Sequence, residues 1–174
     1  MAGLAKFGSS LAATLAVFAL GATVFVGSGV YDIGADDHHT KLTLWLIESL
    51  RDRSIEVRSR SIELRYVDAP ERISAGAKGY ASLCAGCHLA PGETKSPVRT
   101  GLYPHPPNLA QEEVSDGRRA FWIVKHGIKM SAMPAWGKTL DDADIWDLVS
   151  FIRKMPDMSA ENYLQLSAPQ LSAP

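Results

Sequence analysis

The segment from Phe7 to Val30 constrains this chain most, because it contains no charged residue. As a helix it would be roughly 36 Å long, which is enough to cross a bilayer. A cleaved signal peptide is the alternative, but the apolar part of such a peptide is only about 7–15 residues long. No clear cleavage site of small residues ends the segment either. We therefore expect residues 1–31 to be an uncleaved membrane anchor.

The charges beside this segment predict its orientation. Lys6 is the charged residue before it, and Asp32, Asp36 and Asp37 follow it. Basic residues next to a membrane span tend to stay in the cytoplasm. The sequence thus predicts a single-pass protein whose bulk lies outside the cytoplasm, with membrane lipid as one partner of the N-terminal helix.

The composition excludes two other classes of protein. The chain of 174 residues has 18 basic and 19 acidic residues, so it lacks the positive charge of a nucleic-acid-binding protein. We expect no nucleic-acid partner. Its two cysteines also exclude a scaffold held by several disulfides.

Residues 32–69 are predicted to form a helical linker beside the membrane. Between Thr40 and Tyr66, apolar and charged residues alternate at helical intervals, and one face of the helix is apolar. This amphipathic helix is either a solvated spacer with some packing role or a surface that docks on lipid headgroups or a partner subunit. The apolar face consists of Leu42, Trp45, Leu46 and Leu50. His38 and His39 precede the helix and are expected to be exposed.

Residues 70–158 form the predicted folded domain, which is all-α. Pro70 suits the first turn of a helix that leads to Cys84, and Gly127 suits the end of a short helix over 116–126. A last helix begins at a capping box of Thr139 and Asp142 and ends before Pro156. The proline-rich segment 91–107 is expected to be ordered loop, and residues 159–174 a flexible tail. The buried faces of the first and last helices are predicted to be Ile73, Ala77, Tyr80, Ala81 and Cys84, and Ile145, Leu148, Val149 and Ile152.

The first of these helices leads into Cys84-Ala85-Gly86-Cys87-His88. Two thiols at this spacing can add to the two vinyl groups of haem while the adjacent histidine reaches the iron. A thioredoxin-like pair would need a βαβ context, and a structural zinc site would need a fourth ligand. A structural disulfide would explain neither His88 nor the surrounding pattern. The motif therefore predicts one covalently attached haem c.

An electron carrier needs a second axial ligand on the iron. Met133 is the best candidate, because Pro134 keeps it extended and out of a helix, on a loop that can reach the haem. Met130 is the nearest competitor. The remaining candidates are Met155, Met158, His105 and His126, which are expected to fill gaps or lie at the surface. Tyr103 and Trp136 are candidates for the border of the haem, with core packing as the alternative.

The ordered motifs of residues 75–155 resemble class I c-type cytochromes. The likeness is greatest to single-haem domains of bacterial membrane-anchored cytochromes and to cytochrome c subunits of haem–copper oxidases. The motifs are Gly79-Tyr80 before the cysteine motif, Pro107-Asn108-Leu109, and Met133-Pro134-Ala135-Trp136-Gly137. His126 differs from the asparagine that is commoner before the glycine in related sequences.

This resemblance implies the roles of individual residues. Cys84 and Cys87 would be the thioether attachment sites, and His88 and Met133 the axial ligands of the iron. The carbonyl of Pro107 would accept the hydrogen bond of the axial histidine. The first and last helices would cross near Gly79.

The sequence therefore predicts an electron-transfer protein rather than an enzyme. It would carry single electrons between a respiratory donor and an acceptor, on the periplasmic side of a bacterial inner membrane. A dedicated haem subunit of a larger dehydrogenase or oxidase complex is the alternative. A haem enzyme or gas sensor with an open sixth position is a third hypothesis, disfavoured because no acid–base pair is placed near the motif by the sequence.

Overall fold

The computed structural model describes residues 2–66 and 68–168, which contain eight α-helices and no strand. The expected all-α fold is thus confirmed. The chain divides between Asp37 and His38 into two compact units. The helices are α1 (Ala2–Ser28), α2 (Lys41–Ser59), α3 (Pro70–Leu83), α4 (Ala85–His88), α5 (Pro97–Thr100), α6 (Gly117–His126), α7 (Asp142–Lys154) and α8 (Ala160–Ser167).

The first unit contains the single apolar helix α1. Its part from Phe7 to Ser28 has a mean hydropathy of 2.0 and is long and apolar enough to cross a membrane. The hydroxyls of Thr14 and Thr23 donate to the carbonyls of Ser10 and Ala19, at 3.0 and 2.8 Å. The hydrogen-bonding needs of these two hydroxyls are therefore met within the helix itself, as an apolar medium requires.

The core of the second unit is the crossing of α3 and α7. The predicted apolar face of α7 is fully buried, and on α3 the buried positions are Ile73, Ala77 and Tyr80, whereas Ala81 is exposed. The closest approach is at Gly76, where a Cβ atom would lie 2.2 Å from the carbonyl oxygen of Asp147. At Gly79 the nearest atom is Leu148 Cδ2, at 3.1 Å. The helices thus meet near Gly79 as expected, but the tightest contact is one turn earlier.

The helix boundaries agree with most of the sequence signals. Pro70 begins α3, Asp116 caps α6, and Gly127 ends α6 with a φ of 65°. The expected capping box at Thr139 is wrong, because the side chain of Asp141 caps α7 by accepting from the backbone N–H of Asp144 at 2.9 Å. The Thr139 hydroxyl instead donates to the carbonyl of Trp136.

Two segments contain a helix that the sequence does not predict, because residues 91–107 were expected to be ordered loop without a helix and residues 159–174 a flexible tail. Within the proline-rich loop, α5 forms because the Ser96 side chain caps it and Pro97 occupies its first turn. The prediction of a flexible tail is wrong for residues 160–167, because these residues form α8 with Ser159 as its N-cap. Tyr163 of this helix is buried against Tyr80 and Phe151. The rest of that predicted tail, residues 169–174, lies outside the described residues.

The segment before α3 packs on the same core rather than standing apart from it. Ile55 of α2 is buried, and the hydroxyl of Tyr66 accepts from the backbone N–H of Gly117 at 3.0 Å. The Tyr66 ring meets the edge of Trp146 and is covered by the guanidinium of Arg153. Residues 38–66 are therefore part of the second unit, which extends the packing role that the sequence suggested for α2.

The crossing of α3 and α7 yields the first prediction. Gly76→Ala should lower the free energy of unfolding by about 3 kcal/mol, because its Cβ meets backbone of Asp147 that cannot move without separating the helices. Gly79→Ala is the matched control. Its Cβ meets a movable Leu148 side chain, so we expect less than about 1 kcal/mol. Urea unfolding in mild detergent measures both, and equal effects would contradict the assignment of the crossing point.

Candidate functional site

The cysteine motif occupies the corner where α3 ends and α4 begins. Cys84 is the residue between the two helices, and its carbonyl accepts from the backbone N–H groups of Cys87 and His88, at 3.1 and 2.9 Å. This single turn brings Cys84, Cys87 and His88 together. Their placement follows from α3, whose buried face fixes where the helix ends.

His88 is held in place at two points by the segment that follows α5. Its Nδ1 lies 3.0 Å from the carbonyl oxygen of Pro107, and its own carbonyl accepts from the N–H of Leu109 at 3.2 Å. A carbonyl oxygen can only accept, so the proton is on Nδ1 and the lone pair is on Nε2. Burial, foremost, and the nearby charge of Arg99 lower the pKa of His88 below its usual value, despite the opposing Pro107 hydrogen bond. The imidazole is therefore neutral, as a metal ligand must be.

The two cysteines have different surroundings. Cys84 is buried and Cys87 is half-buried, and their sulfurs are not joined to each other. Burial, with a smaller effect of Cys87, raises the pKa of Cys84 to about 12. Cys84 thus stays a thiol rather than a reactive thiolate, and two unjoined cysteines beside His88 fit covalent haem attachment.

A buried polar atom beside His88 also fits an anionic group of a cofactor. Arg99 donates from Nη2 to the carbonyl of Pro106 at 2.9 Å, while its Nε is buried and has no hydrogen-bond partner among the described residues. Such a buried donor is costly unless something accepts from it. The haem propionates are acceptors of the required charge, so the residues present fit this cofactor.

The predicted distal loop packs against the end of α6. The N–H of Ile128 donates to the carbonyl of Met133 at 3.1 Å, and the N–H of Met133 donates to the Ser131 hydroxyl at 3.2 Å. Gly127 lies under this loop, where a Cβ atom would be 2.7 Å from the carbonyl oxygen of Met133. Met133 itself is half-buried against the core. A left-handed glycine and a hydroxyl thus fix the backbone that presents the Met133 side chain.

The other candidate ligands lie in different surroundings. Met130 is fully exposed, whereas Met155 is completely buried in the core. His105 is exposed and its Nδ1 donates to the carbonyl of Arg99 at 3.0 Å. His126 is exposed, and its ring lies 4.9 Å from that of Trp122. These placements favour Met133 over these four residues, whereas Met158 is half-buried against the core as Met133 is.

The two aromatic residues proposed for the haem border differ in their contacts. Trp136 begins a 3₁₀ turn after the distal loop and is half-buried against the core. The ring of Tyr103 stacks on His38 with centroids 4.2 Å apart and lies 5.7 Å from that of His39. His38 is exposed as expected, whereas His39 is half-buried, and the rings of both pack on Tyr103. The assignment of Tyr103 and Trp136 to the haem pocket stays a prediction.

Sequence reasoning did not find the supporting roles of two residues near this site, Tyr80 and Arg99. The buried Tyr80 hydroxyl donates to the carbonyl of Leu89 at 2.6 Å, directly after His88. Leu89 has a φ of 64°, a strained value for a leucine, and this hydrogen bond holds it there. Arg99 was not found either. The sequence indicated Tyr80 as a buried position and as part of the Gly79-Tyr80 motif, but not its hydrogen bond to Leu89, and Arg99 gave no sequence signal.

The fold and the motif define a class I c-type cytochrome domain, an all-helical domain with a Cys-x-x-Cys-His site. Comparison with known families agrees, because residues 71–152 match the model of cytochrome c oxidase, cbb3-type, subunit III. This match supports a class I c-type cytochrome domain over these residues. No curated protein matches the chain. The domain supports binding of haem c and a haem-based role in electron transfer.

The packing of Gly127 yields a prediction about the distal loop. Gly127→Ala combines a positive φ with a Cβ atom in contact with the backbone of Met133, Pro134 and Ala135, so the loop should shift. The ferric protein should then lose its sulfur-to-iron absorption band. Gly101→Ala is the control, because its φ is negative and its nearest contact is an ordinary 3.8 Å. An unchanged band in Gly127→Ala would show that this glycine does not hold the ligand.

Arg99 yields a prediction about the reduction potential. Its charge already disfavours added positive charge on His88, and the same charge should disfavour ferric iron. Arg99→Gln should lower the midpoint potential by an amount on the order of 1 kcal/mol, or roughly 40 mV for one electron. The exposed Arg118 offers a control of equal charge change. A redox titration in which Arg99→Gln and Arg118→Gln behave alike would contradict the assignment.

Proposed function

We propose that this protein is a membrane-anchored c-type cytochrome with one covalently bound haem c. It carries single electrons on the periplasmic side of a bacterial inner membrane, between a respiratory donor and an acceptor. The observation that carries this proposal is the hydrogen bond of His88 Nδ1 to the carbonyl of Pro107, next to two unjoined cysteine thiols. This arrangement supports the proposal, because it leaves the lone pair of His88 on Nε2 and has both cysteines within one helical turn of that histidine.

The proposed roles of the residues follow the geometry. Cys84 and Cys87 form the two thioether bonds, His88 is the proximal ligand and Met133 the distal ligand. Haem held in this way supplies a reversible one-electron exchange at its iron. Pro107 fixes the tautomer and the ring orientation of His88, and Tyr80 fixes the backbone that follows it. Tyr103 and Trp136 are proposed to border the pocket.

The ligand pair favours electron transfer over catalysis. Histidine and methionine together fill both axial positions, so no position remains for a substrate. Both ligands are attached to the folded core, His88 through Pro107 and Leu109 and Met133 through Ile128. A site that keeps its geometry in both oxidation states needs little rearrangement when an electron arrives. The protein itself is then not an enzyme, although it can serve in an oxidoreductase complex.

The proposed organisation has four segments. They are an anchor over residues 1–31, a juxtamembrane linker over 32–69, the haem domain over 70–158 and a C-terminal segment over 159–174. The apolar helix α1 and its internally bonded hydroxyls support the anchor. Lys6 before it and three aspartates after it support a periplasmic haem domain.

A dedicated haem subunit of a larger respiratory complex is the second candidate. It is supported by the matching family model, whose description is that of an oxidase subunit. Purification of the chain from native membranes in mild detergent distinguishes the two. Recovery together with stoichiometric partner subunits supports the complex, and recovery as a free monomer supports the mobile carrier.

The proposed distal ligand gives the most specific test of this function. Met133→Ala should abolish the sulfur-to-iron band of the ferric protein and allow carbon monoxide to bind to the ferrous protein, because it opens one axial position. Met130→Ala removes a fully exposed methionine from the same loop and should change neither property. Optical spectra of both variants and of the wild type measure this. A wild type that is high-spin and binds carbon monoxide would contradict the proposal.

A further inference from the structure

Helix α2 has an apolar side that the second unit leaves uncovered. Leu42, Leu46 and Leu50 recur at every fourth residue and are 65%, 53% and 75% exposed. Val57 lies seven residues beyond Leu50, on the same side, and is 51% exposed. We call this row of four residues the outer face of α2.

The opposite side of α2 is the side that packs on the haem domain. Ile55 and Ser59 are 2% and 3% exposed, and the carboxylate of Asp52 accepts from Arg119 of α6 at 2.9 Å. Lys41 and Glu48 precede Ile55 by about four turns and two turns of the helix, respectively, and lie on that same side. Between Lys41 and Leu50 these two are the charged residues. The outer face of this half of the helix is therefore free of charge.

The exposed surface is larger than the outer face alone. Trp45 and Ile47, which flank it, are 61% and 49% exposed. On monomeric proteins the largest contiguous apolar patch is roughly 300–600 Å² and often marks an interaction site. Five large apolar side chains that are about half or more exposed lie on the nine consecutive residues from Leu42 to Leu50. Such a cluster calls for a partner that is itself apolar.

We propose that the outer face of α2 lies in the lipid interface of the membrane that holds α1. This inference rests on the proposed anchor. The twelve residues between Ser28 and Lys41 span at most about 40 Å when extended, so α2 stays within reach of the bilayer surface. A helix tethered there is exposed to lipid at high effective concentration.

The distribution of side chains around α2 favours lipid over a protein partner. A helix in the plane of the interface needs one apolar side toward the acyl chains and one polar side toward water. In α2 the haem domain packs on the polar side, so insertion of the outer face leaves the domain in water. Trp45 lies at the edge of the apolar side, where the amphipathic indole ring prefers the headgroup level. The inserted helix would then fix the orientation of the haem domain against the membrane and limit how far it can move to meet a redox partner.

A spin label on α2 tests this in the full-length haem-loaded protein, reconstituted in phosphatidylcholine nanodiscs. Leu46→Cys carries the label on the outer face, and Lys41→Cys carries it on the opposite side as the matched control. We expect the ratio of oxygen to nickel-chelate accessibility to be several-fold higher at position 46 than at position 41. Leu50→Cys, also on the outer face and more exposed, should repeat the result if the first variant folds poorly.

Three outcomes would overturn the inference. High nickel-chelate accessibility at position 46 would show an outer face in water. Low accessibility to both reagents would show cover by protein, and dipolar coupling between labels would identify a second copy of the chain. Alkaline extraction tests the anchor independently of this inference. If the protein resists extraction while position 46 is in water, the membrane anchor is supported and the insertion of α2 is refuted.

Discussion

The close contact of α3 with α7 at Gly76 is the constraint on which the site depends. A residue without a side chain lets the backbone of Asp147 approach α3, and Ile73, Ala77 and Tyr80 then become buried against α7. Since α3 leads without interruption to Cys84, its position against α7 decides where the cysteine motif lies. The same helix carries Tyr80, whose hydroxyl holds Leu89 on the far side of His88. One helix crossing thus positions the cysteine motif from both ends.

The hydrogen bond between His88 and Pro107 fixes the tautomer and the orientation of the imidazole ring. It assigns the proton to Nδ1, and burial lowers the pKa of His88, so Nε2 retains the lone pair that a metal ligand needs. Arg99 connects to the same segment through Pro106 and brings a half-buried positive charge close to His88. The charge, the tautomer and the ring orientation are properties of one loop, from α5 to Leu109. This loop is therefore where the chain can tune a redox centre without changing a ligand.

Local signals in the sequence predicted the parts of the fold that depend on neighbouring residues. Pro70, Gly127 and the apolar spacing of Ile145, Leu148 and Val149 each determine an element by local geometry, and the structure has these elements. Gly76 was not predicted as the contact point, because the spacing of apolar side chains gives no information about a residue that has no side chain. The cap of α7 was assigned to Thr139 instead of Asp141, since two capping side chains stand close together there. The helix over 160–167 was missed because its order comes from Tyr163 packing on Tyr80 and Phe151, which are distant in sequence.

The candidate site divides in the same way. The sequence predicted the cysteine motif and Met133 as site residues, because each is indicated by residues that are adjacent in the chain. Arg99 was not, because its role depends on how a proline-rich loop folds back to bring Pro106 and Pro107 beside α4. The outer face of α2 was visible as an apolar spacing. Only the structure shows that the haem domain covers the opposite side of that helix.

The proposed electron transfer depends on one haem that is bound covalently through Cys84 and Cys87. The mass of the intact, denatured protein tests this attachment, after expression with export and cytochrome c maturation and after extraction with acidified solvent. We expect the mass of the chain plus one haem, and a mass without haem when both cysteines are replaced by alanine. A wild-type chain that loses its haem in acid, or that has the mass of the polypeptide alone, would contradict it.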